Sequence, residues 1–217
     1  MKIKTILFDF DGVIVDSEGP YKEVFDKWMW QKGISFEQQD AVNSQLLPGI
    51  TWEDCFHVAA AVTKKPIDPI QAQADIVELI KQYVIEVGVP LKEGAEAAIA
   101  QLSEQYPLAI VSSSPRAVIE QILRHHRLQE YFSHITALED IQYPKPHPEP
   151  YLNTLKQLHL KPGQAVAMED SLTGAQSAAA AGVFVYVWPD KKFKAEQFSH
   201  FAKVIYGFQP LLNDLLV

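Results

Sequence analysis

Short apolar runs recur along the chain at 3–10, 108–111, 135–138, 165–168 and 183–187, with a weaker one at 203–206. Each is four to eight residues long and almost uninterrupted, the pattern of a strand buried on both faces. From residue 93 onward the runs alternate with helical patterns at about 93–105, 115–125, 149–158 and 171–181. Strand and helix in alternation predict parallel strands joined by crossover helices, that is, a doubly wound, Rossmann-like α/β sheet. Helix ends carry their usual marks. Ser114 precedes Pro115 as an N-cap before proline at a first helical position, and Gly182 stops the helix built on Ala178, Ala179, Ala180 and Ala181.

Residues 17–88 break the alternation. They hold no convincing strand, but Val24, Phe25, Trp28 and Met29 form one apolar stripe at helical spacing. Ile76, Val77, Ile80, Val84 and Val87 form another, and a third segment runs from Trp52 to about Val62. The simplest organisation is an α/β core of residues 1–16 and 89–217, with an all-helical cap domain, 17–88, inserted after the first strand. The chain crosses between them near 14–18 and 87–92, where Val89-Pro90 ends a helix. The aromatic residues of the stripes read as bundle core.

Composition narrows the classes. The 217 residues are 47% hydrophobic and 21% charged, an ordinary globular balance. A formal charge of −8 argues against a nucleic-acid partner. It leaves room for a small anionic substrate, because one lysine and a bound cation reverse a local field. Cys55 is the single cysteine, so there is no internal disulfide or thiolate metal cluster, and its apolar surroundings make it a core residue. No apolar run is long enough to span a bilayer and no signal peptide is evident, so a soluble cytoplasmic protein without membrane association is expected.

The candidate chemistry lies at strand ends. Asp9 and Asp11 close the first apolar run two positions apart, on the same side of an extended chain, just before Gly12. In an open α/β sheet the carboxyl ends of strands form the ligand crevice. One carboxylate there can attack phosphorus while the other gives a proton to the leaving group. Ser112, Ser113 and Ser114 follow the second strand, where hydroxyls beside the free N–H groups of a starting helix hold phosphate oxygens. With Ser114 as the helix cap, Ser112 is the stronger of these phosphate ligands. Lys145 sits in Tyr143-Pro144-Lys145-Pro146-His147-Pro148-Glu149-Pro150, where proline at every second position stiffens the loop and fixes the ammonium. Glu169 and Asp170 end another strand, and adjacent carboxylates suit a hard, oxygen-seeking cation. With no Cys/His cluster, that cation is expected to be Mg²⁺.

These four segments, in this order, resemble the haloacid dehalogenase superfamily across essentially the whole chain, and the helical insert is similar to its small helical cap. The stretch Val13-Ile14-Val15-Asp16-Ser17-Glu18 resembles the hinge of the branch that holds sugar-phosphate phosphatases, phosphoglycolate phosphatase and β-phosphoglucomutase. The resemblance implies Asp9 as the nucleophile that becomes an aspartyl-phosphate, and Asp11 as the acid and then the base. It implies Ser112, Ser113 and Lys145 as phosphoryl ligands. Mg²⁺ would be held by Asp9, the backbone carbonyl of Asp11 and Asp170, with Glu169 at or just beyond them. A cap that opens and closes over the core is implied as well.

Two positions depart from the mutase pattern. Tyr21 stands where the mutase has a histidine, and Trp52, shortly after Gly49-Ile50, stands where it has a phosphate-gripping arginine. Tryptophan has no fork of donors for phosphate. Lys64-Lys65 is an alternative positive patch, and Lys22, Lys27 and Lys32 alternate with acidic residues as a solvated face. The expectation is therefore a Mg²⁺-dependent phosphatase of a small phosphorylated metabolite, a sugar or polyol phosphate. A phosphosugar mutase ranks second. A non-catalytic phosphate-binding or regulatory protein ranks third, since the nucleophile, the acid and the metal carboxylates are all present.

Overall fold

The computed structural model describes residues 2–46 and 51–216. In chain order the elements are β1 (Thr5–Phe8), α1 (Glu18–Gln31), α2 (Phe36–Asn43), α3 (Trp52–Thr63), α4 (Pro69–Glu86), α5 (Ala95–Ser103) and β2 (Leu108–Val111). There follow α6 (Arg116–His125), β3 (Phe132–Thr136), α7 (Glu149–Gln157), β4 (Ala165–Glu169), α8 (Leu172–Ala180), β5 (Phe184–Val187), β6 (Lys203–Val204) and α9 (Gln209–Leu215). The chain falls into two compact units, one of residues 1–17 and 89–217, the other of residues 18–88.

The larger unit is a six-stranded sheet in the order β3-β2-β1-β4-β5-β6, with every neighbouring pair parallel. Strand order therefore reverses between β1 and β4, the switch point at which such sheets open a ligand crevice. β1, β2 and β4 are buried at every position, as their uninterrupted apolar runs require. Leu7, Ala109, Ala167 and Val185, from four neighbouring strands, pack with Tyr151 and Leu155 of α7 and with Ala175 and Ala178 of α8. The alanines keep α8 close to the sheet.

β3 is displaced from the expected 135–138 to Phe132–Thr136. It is an edge strand, so Ser133 and His134 are tolerated where a central strand would need apolar residues, and the apolar-run criterion misplaces it. Leu138 instead opens a 3₁₀ turn, with the Ala137 N–H donating to Asp140 at 2.8 Å. The short α9 escaped the sequence pattern altogether, although it buries Leu211 and Leu212. Gly182, at φ 77°, ends α8 as expected.

The smaller unit contains α1 to α4. α1 buries Val24, Phe25, Trp28 and Met29. Phe25 stacks on Trp28 with centroids 5.6 Å apart, and Trp28 meets Phe56 of α3 at 5.3 Å. α4, capped by Asp68, buries Ala72, Ile76, Leu79, Ile80 and Val84. Two members of its expected stripe do not belong. Val77 is half-buried, and Val87, beyond the last turn, is exposed; Leu79 takes up the apolar face. α2 begins at a capping box between Ser35 and Gln38, and α3 at one between Thr51 and Asp54. Cys55 is buried, which pushes its thiol up to about 11. Among the described residues no helix is long and apolar enough to cross a membrane.

Candidate active site

Asp9 follows β1 directly, and its N–H donates to the Met168 carbonyl of β4 at 2.9 Å. The chain then reverses: Ile14 and Val15 both donate to the Phe10 carbonyl, and Gly12 donates to the Val15 carbonyl at 2.8 Å. Gly12 is required here on two counts. Its φ is 78°, a left-handed value that disfavours side chains, and a Cβ would lie 1.9 Å from Asp170 Oδ2. The turn after β1 thus brings the backbone between Asp9 and Asp11 against the carboxylate that ends β4.

Lys145 reaches into this crevice with its side chain almost wholly buried. Its Nζ donates to Asp9 Oδ1 at 2.9 Å, to Glu169 Oε1 at 2.7 Å and to the Val111 carbonyl at the end of β2 at 2.9 Å. All three protons of the ammonium are spent, on groups from three adjacent strand ends. Burial alone would lower its pKa, but Asp9 and Glu169 outweigh that and hold it above the ordinary lysine value.

Glu169 is fully buried. Its Oε1 also accepts from the Tyr151 hydroxyl of α7 at 2.6 Å, while its Oε2 has no hydrogen-bond partner. Gly174 of α8 makes room for it, since a Cβ at that position would lie 2.0 Å from Oε2. Burial and then the Asp9 charge push Glu169 up to about 7, against the pull of Lys145 and Tyr151. Burial, Asp9 and Glu169 raise Asp170 well above the usual carboxylate range. Burial and Glu169 likewise raise the Tyr151 phenol.

Among the described residues, one oxygen each from Asp9, Glu169 and Asp170 lie within 4.8 Å of one another. An all-oxygen donor set, a buried carboxylate oxygen without a partner and carboxylates driven toward protonation by burial and then by mutual repulsion all fit a hard divalent cation. Asp11 does not contribute its carboxylate to that group. Its Oδ2 accepts from the Ser114 hydroxyl at 2.6 Å. The expectation that Ser114 caps α6 is therefore corrected: Pro115 occupies the cap position without a side-chain bond, and the Ser114 hydroxyl serves Asp11. Nor does Asp170 cap α8, a role taken by Ser171, which accepts from the Gly174 N–H.

Ser112 is buried at the end of β2, and its hydroxyl accepts from the Ser114 N–H at 3.0 Å. Ser113 points outward and is exposed. In the helical unit, Tyr21 and Trp52 pack against each other with ring centroids 5.7 Å apart, and Trp52 also meets Phe25 at 6.0 Å. Gly49 and Ile50 lie outside the described residues. Of the neighbouring lysines, Lys22 pairs with Asp26 and Lys32 with Asp75, while Lys65 donates to the Gly33 carbonyl at 3.3 Å. Tyr151, Gly174 and the Asp11 bond to Ser114 were beyond the sequence reading.

Comparison with known proteins identifies the family. Residues 6–188 match the family model of haloacid dehalogenase-like hydrolases, and the chain belongs to that family. It is 25% identical to the fructose-1-phosphate phosphatase YqaB of Escherichia coli over 82% of this chain and 92% of that one. It is 27% identical to hexitol phosphatase B of the same bacterium, over 87% and 84% of the two chains. In structure it is similar to CbbY from Rhodobacter sphaeroides, crystallised with phosphate, at a TM-score of 0.81 over 99% of this chain and 100% of that one, with 23% identity. The doubly wound sheet is thus the family's fold, and the chain is a hydrolase.

Proposed function

We propose that this protein is a Mg²⁺-dependent phosphatase that hydrolyses a small phosphomonoester, a sugar or polyol phosphate, through an aspartyl-phosphate. The enzyme is a phosphoric monoester hydrolase, in keeping with the phosphatases it is similar to. The observation that carries the reading is the single buried ammonium of Lys145 shared between Asp9 and Glu169, with Asp170 converging on the same crevice. A structural ion pair has no use for two buried carboxylates on one ammonium with a third, half-buried carboxylate beside them. A site that must receive a metal and a phosphoryl group does.

In this reading Asp9 attacks phosphorus, and the bond to the leaving oxygen breaks as Asp11 gives that oxygen a proton. Ser114, bonded to Asp11 Oδ2, orients the acid. A water then attacks the aspartyl-phosphate, Asp11 takes its proton, and inorganic phosphate leaves with Asp9 restored. Ser112 holds the phosphoryl oxygens as charge builds on them, and Lys145 turns to them the proton it gives Asp9 once Asp9 engages phosphorus, with Ser113 beside them at the rim. Asp9, Asp170 and the Asp11 carbonyl, with Glu169, would hold Mg²⁺, which when bound neutralises the phosphoryl charge and lets nucleophile and substrate approach. Tyr21 and Trp52 are engaged with each other, Trp52 also with Phe25, and neither supplies a cation for a second phosphate, so the mutase reading ranks below.

The test is phosphate release from a panel of sugar, polyol and glycolate phosphates, with and without Mg²⁺. Release that requires Mg²⁺ and favours one monoester supports the proposal. Conversion of β-glucose 1-phosphate to glucose 6-phosphate without release would replace it with the mutase.

A further inference from the structure

Resting on that reading, we infer that Tyr151 is a positioning residue whose hydroxyl fixes the Glu169 carboxylate, so that Oε2 is kept for the cation and Lys145 stays shared with Asp9. Both protein donors to Glu169 converge on the same oxygen: the Tyr151 hydroxyl at 2.6 Å and Lys145 Nζ at 2.7 Å meet Oε1. Oε2 is buried and accepts nothing. A carboxylate held by lysine alone could turn about its last torsion, because that torsion is soft. A second donor on Oε1, anchored in a fully buried ring of α7, removes that freedom. The same ring lies under the ammonium, with Nζ 5.5 Å from its centroid. Gly174 closes the arrangement from α8, where any side chain would displace the carboxylate. A buried oxygen without a donor is costly unless something else ligates it. The two-donor arrangement assigns that oxygen in advance. Tyr151 itself meets neither substrate nor metal in this scheme; it acts through Glu169.

The test replaces Tyr151 with Phe, which keeps the ring and removes the hydroxyl, and titrates Mg²⁺ alone by calorimetry. Apparent Mg²⁺ affinity should fall roughly 10–100-fold, the usual effect of losing a partner that orients a metal ligand. kcat should fall with it at limiting Mg²⁺, while KM changes little at saturating Mg²⁺. In a Glu169→Gln background the same substitution should add almost nothing, because its route of action is gone. If Tyr151→Phe binds Mg²⁺ like the wild type, or weakens it equally in both backgrounds, the inference is overturned. Should Tyr151→Phe fail to fold, 3-fluorotyrosine placed at 151 keeps the hydroxyl. Its ¹⁹F signal must move on Mg²⁺ addition with the midpoint of the wild-type titration, and a stationary signal overturns the inference. Wild-type protein that binds no Mg²⁺ and releases no phosphate would instead mean that the underlying functional reading has failed.

Discussion

The protein builds two lysine–carboxylate–aromatic clusters from similar parts, one in each unit. In the helical unit, Lys32 meets Asp75 at 2.7 Å, and the same carboxylate accepts from Trp28 at 3.3 Å and from Gln71 at 2.9 Å. In the α/β unit, Lys145 meets Asp9 and Glu169, and Glu169 accepts from Tyr151. The side chains of Lys32 and Asp75 are 44% and 24% exposed, those of Lys145 and Glu169 only 7% and 0%. The outcomes are opposite. The Lys32 ammonium holds Asp75 below the usual carboxylate range, whereas burial drives Glu169 up to about 7 despite its lysine. One cation to one carboxylate in water makes a tie that holds helices together. One cation among several carboxylates away from water leaves an unmet demand for positive charge, which the proposed divalent cation would meet.

The sharpest way to break this contrast is at the nucleophile. Asp9→Asn should reduce phosphate release on the order of 10⁴-fold or more, since groups that act as a unit fail together. Its circular dichroism should be unchanged, and mass spectrometry of quenched protein should find no aspartyl-phosphate. Ordinary turnover in this variant would rule out the covalent route. Asp11→Asn should lose about 10²–10⁴-fold, the range for a general acid. The loss should shrink for substrates with better leaving groups, such as aryl phosphates, because these need less protonation.

How much of this was legible beforehand follows from what a sequence encodes locally. β1, β2 and β4 are buried on both faces, so their runs stand out, and strand ends in a parallel sheet converge by topology alone. Asp9, Lys145, Glu169 and Asp170 were therefore placeable without coordinates. Lys145 differed from Lys32 in one visible respect, its collar of prolines. Tyr151 gave no such signal: on α7 it sits at a core position beside Leu155, and its hydroxyl bond spans 18 residues. Ser114 was misread because a serine before a helix offers two local uses, and only the approach of Asp11, 103 residues away, decides between them. The edge strand β3 and the exposed Val87 show the same limit, that apolar patterning records burial but not which neighbour provides it.

Removing the buried ammonium should be the next largest effect. Lys145→Met leaves Asp9 and Glu169 uncompensated, and urea unfolding in EDTA should show a loss of about 3 kcal/mol, as for other broken buried pairs. Mg²⁺ should restore part of that loss though not turnover. Undiminished stability in EDTA would mean that the carboxylates do not depend on the lysine. A pH series sharpens the same point. The folded chain keeps a proton on Glu169 up to about 7, whereas the unfolded chain releases it near 4.5. Stability in EDTA should therefore fall as pH rises across that window. Because a bound cation needs that proton gone, the rise in Tm caused by Mg²⁺ should grow as pH climbs through 7. A Mg²⁺ shift independent of pH would detach Glu169 from the metal.

The smallest effect belongs to the other cluster. Asp75→Asn removes a carboxylate from a half-exposed pair, so it should cost under about 1 kcal/mol at neutral pH. The new amide keeps one oxygen for Trp28, and Gln71 can turn its own amide oxygen to accept from the new NH₂. Asp75 is depressed in the fold, so its contribution is present above the ordinary carboxylate value of 3.8 and is lost as pH falls through the folded value. Urea curves of wild type and variant should thus differ slightly at pH 7 and converge in acid. Turnover and Mg²⁺ affinity should stay as they are, because no reacting group touches this cluster. A fall in turnover comparable to that of Lys145→Met would collapse the distinction, for it would make the wet pair as consequential to the chemistry as the dry one.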